Sequence, residues 1–190
     1  MIQKITDKHE NILETAERLF EANGFHATGV DRLAAESGIT KRTLYKHFGS
    51  KKGLIEAVLH RHHSRLMNRI RTHTAKIETS GEDRLLACFD LYQNWFTQQC
   101  FFGCLFIKTL NEFQLCSERL FAIATQAKSE LRDYLVKLSA EAGARNANLL
   151  ADQLQLILEG SIIVAQCGRK TESIQTARKL AKRLILEEIK

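Results

Sequence analysis

Residues 24–54 read GFHATGVDRLAAESGITKRTLYKHFGSKKGL, and the fold turns on how this stretch is parsed. Val30, Leu33 and Ala34 share the inward face of a short helix running from about Val30 to Ser37. Gly38 breaks it, Ile39 packs beneath the turn, and Thr40 is suited to cap the next helix, because its hydroxyl accepts a free amide of the first turn. On that next helix Leu44 and Phe48, four apart, face inward. Lys41 and Tyr45, and likewise Arg42 and Lys46, are then i, i+4 pairs on outward surfaces. Two short helices joined by a glycine turn, the second one basic, predict a helix-turn-helix whose second helix enters a DNA major groove. Arg and Lys can donate there to guanine O6 and N7.

Outward from this stretch, the spacing predicts helices almost everywhere. Ile12, Leu13, Ala16, Leu19 and Phe20 form the stripe of an amphipathic helix over 7–23, closed by Asn23-Gly24. Ser50 caps a fourth helix of about 25 residues, with Leu54, Ile55, Val58, Leu59, Leu66, Met67 and Ile70 inward. After a break at Thr79-Ser80-Gly81, five more helices are expected: Glu82 to Gln99, a short one after Gly103, 117–141, 146–167 and 171–188. The helix at 146–167 is apolar on most faces, which predicts burial on two sides. The 190-residue chain contains no proline, a residue that breaks helix interiors. The fold class expected is all-α, with about nine helices: a three-helix DNA-binding domain over 1–54, then an effector-binding and dimerisation domain over 55–190, joined through the long fourth helix.

Composition supports an ordinary globular protein, 44% hydrophobic and 26% charged. The net charge is +6, and it is unevenly spread. Between Lys41 and Lys76 ten Lys or Arg stand against one acid, Glu56. Such a cluster is the electrostatic footprint of a polyanion partner, weighed against the plainer reading of a solvated helix face. The charged N-terminus lacks the apolar stretch of a signal peptide, and no apolar run has the length of a membrane span. Five cysteines without an export signal point to reduced thiols, so a cytoplasmic protein is expected.

The same stretch resembles the TetR (tetracycline-repressor-like) transcriptional regulators. The resemblance covers roughly residues 8–58 and is densest in G-I-T-K-R-T-L-Y-K-H-F-G-S-K, residues 38–51. Ala16, Leu19, Phe20, Gly24, Phe25, Thr28, Val30, Leu33, Ala34 and Leu54 extend it. It implies phosphate contacts from Thr28, Tyr45, His47 and Lys52, with Lys41, Arg42, Thr43 and Lys46 as candidates for base contact. The plainer reading of Tyr45 is an aromatic packed on the first helix. Two positions depart from the family pattern: Arg42 stands where a small residue is common, and Gly29 where Ser or Thr helps start the second helix.

The resemblance further implies a small-molecule effector pocket and a homodimer interface in the C-terminal helices. The 146–167 and 171–188 helices carry more apolar surface than one chain readily covers, and Gly160-Ser161 offers a spot for close helix approach. For an effector, the candidates are Tyr92, Trp95, Phe96, Cys104, Phe106, Lys108 and Glu112, around YQNWFTQQCFFGCLF. Plain core is the competing reading of these aromatics.

Cys100 and Cys104 flank Phe101-Phe102-Gly103, with Lys108 four residues further on. A lysine near a thiol raises its reactivity, so a cysteine-based redox or electrophile sensor on the same fold is the alternative. Buried small hydrophobes are the plainer reading. No CxxC occurs, and His60, His62 and His63 have no nearby cysteine, so neither metal nor cofactor is expected. A cysteine-nucleophile enzyme lacks a partner histidine near 92–106, so no enzyme is expected.

The expected function is therefore a sequence-specific transcriptional regulator, most simply a repressor. It would bind a pseudo-palindromic double-stranded operator as a homodimer and be released by its effector. The operator, the effector and the regulated genes are not written in the sequence.

Overall fold

A computed structural model describes the backbone of residues 2–189 and side chains from Lys8 onward. Among the described residues there are nine α-helices and no strand: α1 Ile2–Asn23, α2 Val30–Glu36, α3 Lys41–Phe48, α4 Lys51–Ala75, α5 Gly81–Phe96, α6 Leu105–Phe113, α7 Glu118–Glu141, α8 Ala147–Gln166 and α9 Lys170–Glu188. The all-α expectation and the order of elements hold. α5 is shorter than predicted, ending at Phe96, because Thr97 closes it and the chain turns over Thr97–Cys100.

The ends of these helices are made as the sequence suggests. Gly24 (φ 83°) and Gly38 (φ 65°) take the left-handed conformation that L side chains avoid. Ser80 Oγ accepts from Asp83 N at 3.0 Å, and the Asn146 side chain accepts from Leu149 N at 3.1 Å.

By packing, the chain divides into two units that do not follow a single cut in the sequence. The first is Met1–Arg65 with Cys104–Ala127, and the second is Leu66–Gly103 with Lys128–Lys190. A division at residue 54 differs from this: α6 and the start of α7 associate with the N-terminal helices, while α4 and α7 each contribute to both units.

In the first unit the stripe of α1 (Ile12, Leu13, Ala16, Leu19, Phe20) is buried, as are Leu33, Leu44, Leu54, Val58 and Leu59. Phe25 drops fully into this core, 5.0 Å from the Phe20 ring and 5.4 Å from that of Phe113 on α6. Full burial of one such aromatic contributes about 1.5–3 kcal/mol.

In the second unit α9 packs on α5 and α8, burying Leu85, Phe89, Leu150, Leu154, Leu158, Ile174, Ala181 and Ile185. Arg178–Asp90 (2.7 Å), Lys128–Glu159 (2.6 Å) and Arg132–Asp152 (2.5 Å) hold its surface. Gly81 is needed here, since a Cβ would fall 2.5 Å from Ala142.

Burial of α8 on two sides is not what this chain shows. Leu150, Leu154, Leu158 and Ile162 are buried, but Leu149, Leu156, Ile163 and Val164 are exposed, Leu156 at 75%. Leu180 and Leu186 of α9 are exposed as well. The seven-residue steps from Leu149 to Leu156 to Ile163 form one continuous apolar stripe, which explains why the helix reads as apolar all round. α8 is the one described helix long and apolar enough to cross a bilayer, yet Asp152 and Glu159 pair with cations of α7.

Candidate nucleic-acid interface

The helix-turn-helix is built from α2, the Ser37–Thr40 turn and α3. Gly38 N donates to Ala35 O and Ile39 N to Ala34 O, at 3.1 and 3.0 Å, folding the turn back onto α2. Thr40 then caps α3, its Oγ1 accepting from Thr43 N at 3.2 Å and lying 2.9 Å from Thr43 Oγ1. Leu44 is fully buried and anchors the helix. The opposite face presents Lys41, Arg42, Tyr45, Lys46 and His47 to solvent, Tyr45 at 43% exposure. Phe48 is half-buried, its ring 4.9 Å from that of His9.

A short joint leads from α3 to α4. Gly49 (φ 71°) closes α3, and Ser50 Oγ accepts from Gly53 N at 3.0 Å. A Cβ on Gly53 would lie 2.1 Å from Phe48 O, so this glycine sets the approach of α4 to the end of α3. Gly29 precedes α2 without any side-chain cap, as its departure from the family pattern implies.

Six of the eight expected DNA-binding residues, Lys41, Arg42, Thr43, Tyr45, Lys46 and His47, lie together on α3. Thr28 does not join them. Its side chain is fully buried and its hydroxyl donates to Gly24 O at 2.6 Å, so it closes the α1–α2 turn instead of facing a phosphate. Lys52 is exposed, but its Nζ donates to Cys116 O at 3.1 Å, beyond the end of α6. Lys41 forms an ion pair with Asp31 of α2.

The basic run of α4 also resolves into two kinds of charge. Arg61 is largely covered and forms ion pairs with Glu10, at 2.5 Å, and Glu17; Arg65 reaches Glu17 at 3.5 Å. His62 Nδ1 donates to Glu17 Oε1 at 2.7 Å and lies 3.9 Å from Glu21 Oε1. Part of the positive excess over 41–76 therefore clamps α4 to α1 and is not a free footprint for a polyanion. Burial would raise the Glu17 carboxyl, but the bond and charge of His62, with Arg61 and Arg65, hold it below its ordinary range. Burial lifts the Glu21 carboxyl above that range, helped by the Glu17 charge.

Glu17, Glu21 and His62 are the one set of metal-capable side chains with converging atoms among the described residues, within 4.8 Å of one another. The two arginines already supply cationic charge there, so the arrangement acts as an ionic clamp.

The expected effector residues fall into two groups. Tyr92, Trp95, Phe96 and Phe101 stack in the second unit, with Trp95–Phe101 at 5.0 Å and Phe96–Phe101 at 4.8 Å between ring centroids. Lys170 Nζ stands 5.3 Å from the Phe101 centroid. Cys104, Phe106, Lys108 and Glu112 lie in the first unit. Phe106 is buried with its ring 5.3 Å from that of His62. The Lys108 ammonium donates to Glu21 O. Burial lowers its pKa, against the nearby charges of Glu21, Glu112 and Cys104.

Glu112 accepts from Phe25 N at 3.0 Å and His26 N at 2.7 Å, and the His26 ring donates from Nε2 to Glu112 O at 3.1 Å. Lys108 and Glu112 thus bind α6 to the α1–α2 turn. No spacing in the sequence announces this clasp, since its partners are 86 and 87 residues apart. Cys104 is buried and Cys100 exposed.

Residues 12–58 match the bacterial regulatory proteins of the tetR family. The transcriptional activator FasR of Mycolicibacterium smegmatis is 34% identical over 86 residues, covering 45% of this chain and 39% of FasR. The match thus spans about two fifths of that protein. The transcriptional repressor NemR of Escherichia coli is 26% identical over 189 residues, covering 94% of each chain. A solved structure of SCO4454, a TetR-family regulator of Streptomyces coelicolor, shares the fold over 97% of both chains with a TM-score of 0.92 at 20% identity. Residues 12–58 thus match the TetR family of bacterial transcriptional regulators in sequence, and the nine described helices share the fold of a solved TetR-family regulator.

Proposed function

We propose that the protein is a sequence-specific DNA-binding regulator of the cytoplasm that represses transcription until an effector releases it. The observation carrying this reading is the polar face of α3, where Arg42, Tyr45, Lys46 and His47 stand exposed on a helix anchored by Leu44 and capped by Thr40. Arg42 and Lys46 suit base edges, while Tyr45 and His47 suit phosphates. The apolar stripe Leu149, Leu156, Ile163 and Val164, with Leu180 and Leu186, supports a homodimer formed through α8 and α9. Gly160 lies on the exposed side of α8 with open space where a Cβ would stand, which favours close approach of a second helix. Such a dimer reads two half-sites about 34–36 Å apart, or a multiple of that.

The aromatic cluster Tyr92, Trp95, Phe96 and Phe101 is the favoured effector site, and Glu112, Lys108 and Phe106 are better assigned to holding α6 on the DNA-binding helices. Effector and DNA then antagonise one another reciprocally. Repression is favoured over activation by the relative matched along its length, NemR, which is named a repressor; FasR, matched over two fifths of its length, is named an activator. The test is binding of the purified protein to its own upstream DNA, followed by transcription from that template in vitro. Lower transcript with added protein supports repression, and higher transcript replaces it with activation.

A second reading keeps the DNA-binding function and makes Cys100 the sensor. It is favoured by the exposure of that thiol beside the aromatic cluster's Phe101, and NemR has been solved in a form described as reduced. Loss of oxidant-induced release on Cys100→Ser would select this reading, and an unchanged response would remove it.

A further inference from the structure

Three cations on the outward side of α3, Lys41, Arg42 and Lys46, are not in equivalent states. Lys41 is ion-paired with Asp31, whereas Arg42 and Lys46 are exposed and make no ion pair among the described residues. Asp31 stands in the first turn of α2, on the helix that Gly29 leaves uncapped. A carboxylate is favoured there by the positive end of the helix, so its position is set by α2 and not only by the lysine. Both partners are exposed, Asp31 at 79% and Lys41 at 54%, so the pair is weakly bound and solvent-screened.

We infer that Asp31 is a specificity-determining residue: its carboxylate orients Lys41 at the leading edge of α3 and keeps it from serving as an unspecific phosphate contact. The inference rests on the DNA-binding reading above. A lysine is a flexible point charge with three donors, and unpaired it reaches whatever phosphate is nearest. Paired with Asp31, its ammonium is partly neutralised and less available to a phosphate. Asp31 thus lowers affinity for DNA in general and raises the ratio between operator and random sequence.

The experiment is a double-mutant cycle with Asp31→Asn, Lys41→Ala and the double variant. Each is measured on a selected operator and on a random duplex across a salt series. Asp31→Asn is expected to tighten binding to random DNA about threefold to tenfold and steepen the salt slope by about one unit, as one added phosphate contact does. The operator-to-random ratio should fall. In the Lys41→Ala background Asp31→Asn should change neither slope nor ratio. Equal effects in both backgrounds would mean that Asp31 repels phosphate directly and would overturn the inference, as would an unchanged ratio. A wild-type protein unable to tell operator from random DNA would instead overturn the DNA-binding reading itself.

Discussion

Glu112 Oε2 accepts a hydrogen bond from the backbone N–H of His26 at 2.7 Å, joining α6 to the turn between α1 and α2. The other oxygen of the same carboxylate takes Phe25 N, and the His26 ring returns a bond to the Glu112 carbonyl. A residue first read as an effector contact is therefore a clasp inside the first unit. Glu112→Ala leaves the Phe25 and His26 amides without their acceptor. A loss of about 1–2 kcal/mol in urea-unfolding stability is expected. An unchanged midpoint would show that water replaces the carboxylate at no cost.

The ionic clamp between α1 and α4 predicts opposite pH behaviour for two neighbouring glutamates. The Glu17 carboxyl is held below its ordinary range in the folded state. Its contribution is present above that range and is lost as pH falls through the lowered value. Glu21 is raised, so its contribution is favourable below the ordinary range and lost as pH rises through the raised value. Glu17→Gln should cost about 1–3 kcal/mol at pH 7, and Glu21→Gln should stabilise at pH 7 with the gain vanishing near pH 4. Melting curves of both variants at the two pH values check the signs.

Much of this was legible in advance, and the reasons are local. Thr40, Leu44, Ser50 and Gly38 act within four residues of where they stand, so caps, turns and buried faces follow from spacing. Long-range pairings had no such signal. Thr28 matched the family pattern, yet its hydroxyl is spent on Gly24 O; Lys52 reaches Cys116 across 64 residues. The charge run over 41–76 looked uniform because counting ignores partners, and the acids that neutralise Arg61 and Arg65 belong to α1. α8 seemed buried on two sides because an exposed apolar stripe has the same composition as a core.

The five thiols are expected to separate by burial. Cys88 is fully enclosed, and burial pushes its pKa up to about 12, so almost no thiolate forms at pH 7. Cys100, Cys116 and Cys167 are exposed, and Cys104 is buried. Alkylation of the native protein followed by mass spectrometry should show three fast sites and two slow ones. Fast labelling of Cys88 would require opening of the α5 core.

Leu156 stands on α8 in the middle of the exposed apolar stripe. In the proposed dimer Leu156→Asp buries a charge against the partner, so the dimer should weaken by at least tenfold, about 1.4 kcal/mol. The helical circular dichroism of the chain should stay unchanged, because the residue faces solvent in one protomer. Light scattering across a dilution series measures this. An unaltered dimer would move the interface elsewhere.

The basic residues of α3 and of the start of α4 should differ in kind. Arg42→Ala is expected to relax base preference at about 1–3 kcal/mol, the value of a good bidentate pair. Lys52→Ala should weaken operator and random DNA alike and reduce the salt slope by about one unit at most. An equal loss on both duplexes for Arg42→Ala would reassign that residue to the backbone.

The central claim is that α3 reads DNA sequence as one of a symmetric pair. Selection of bound duplexes from a random pool with the purified protein tests it most directly. The account predicts enrichment of an inverted repeat with half-site centres about one helical turn or a multiple of it apart, and loss of that enrichment with Arg42→Ala and Lys46→Ala combined. A pool that stays random, or an enriched sequence indifferent to both residues, would contradict it.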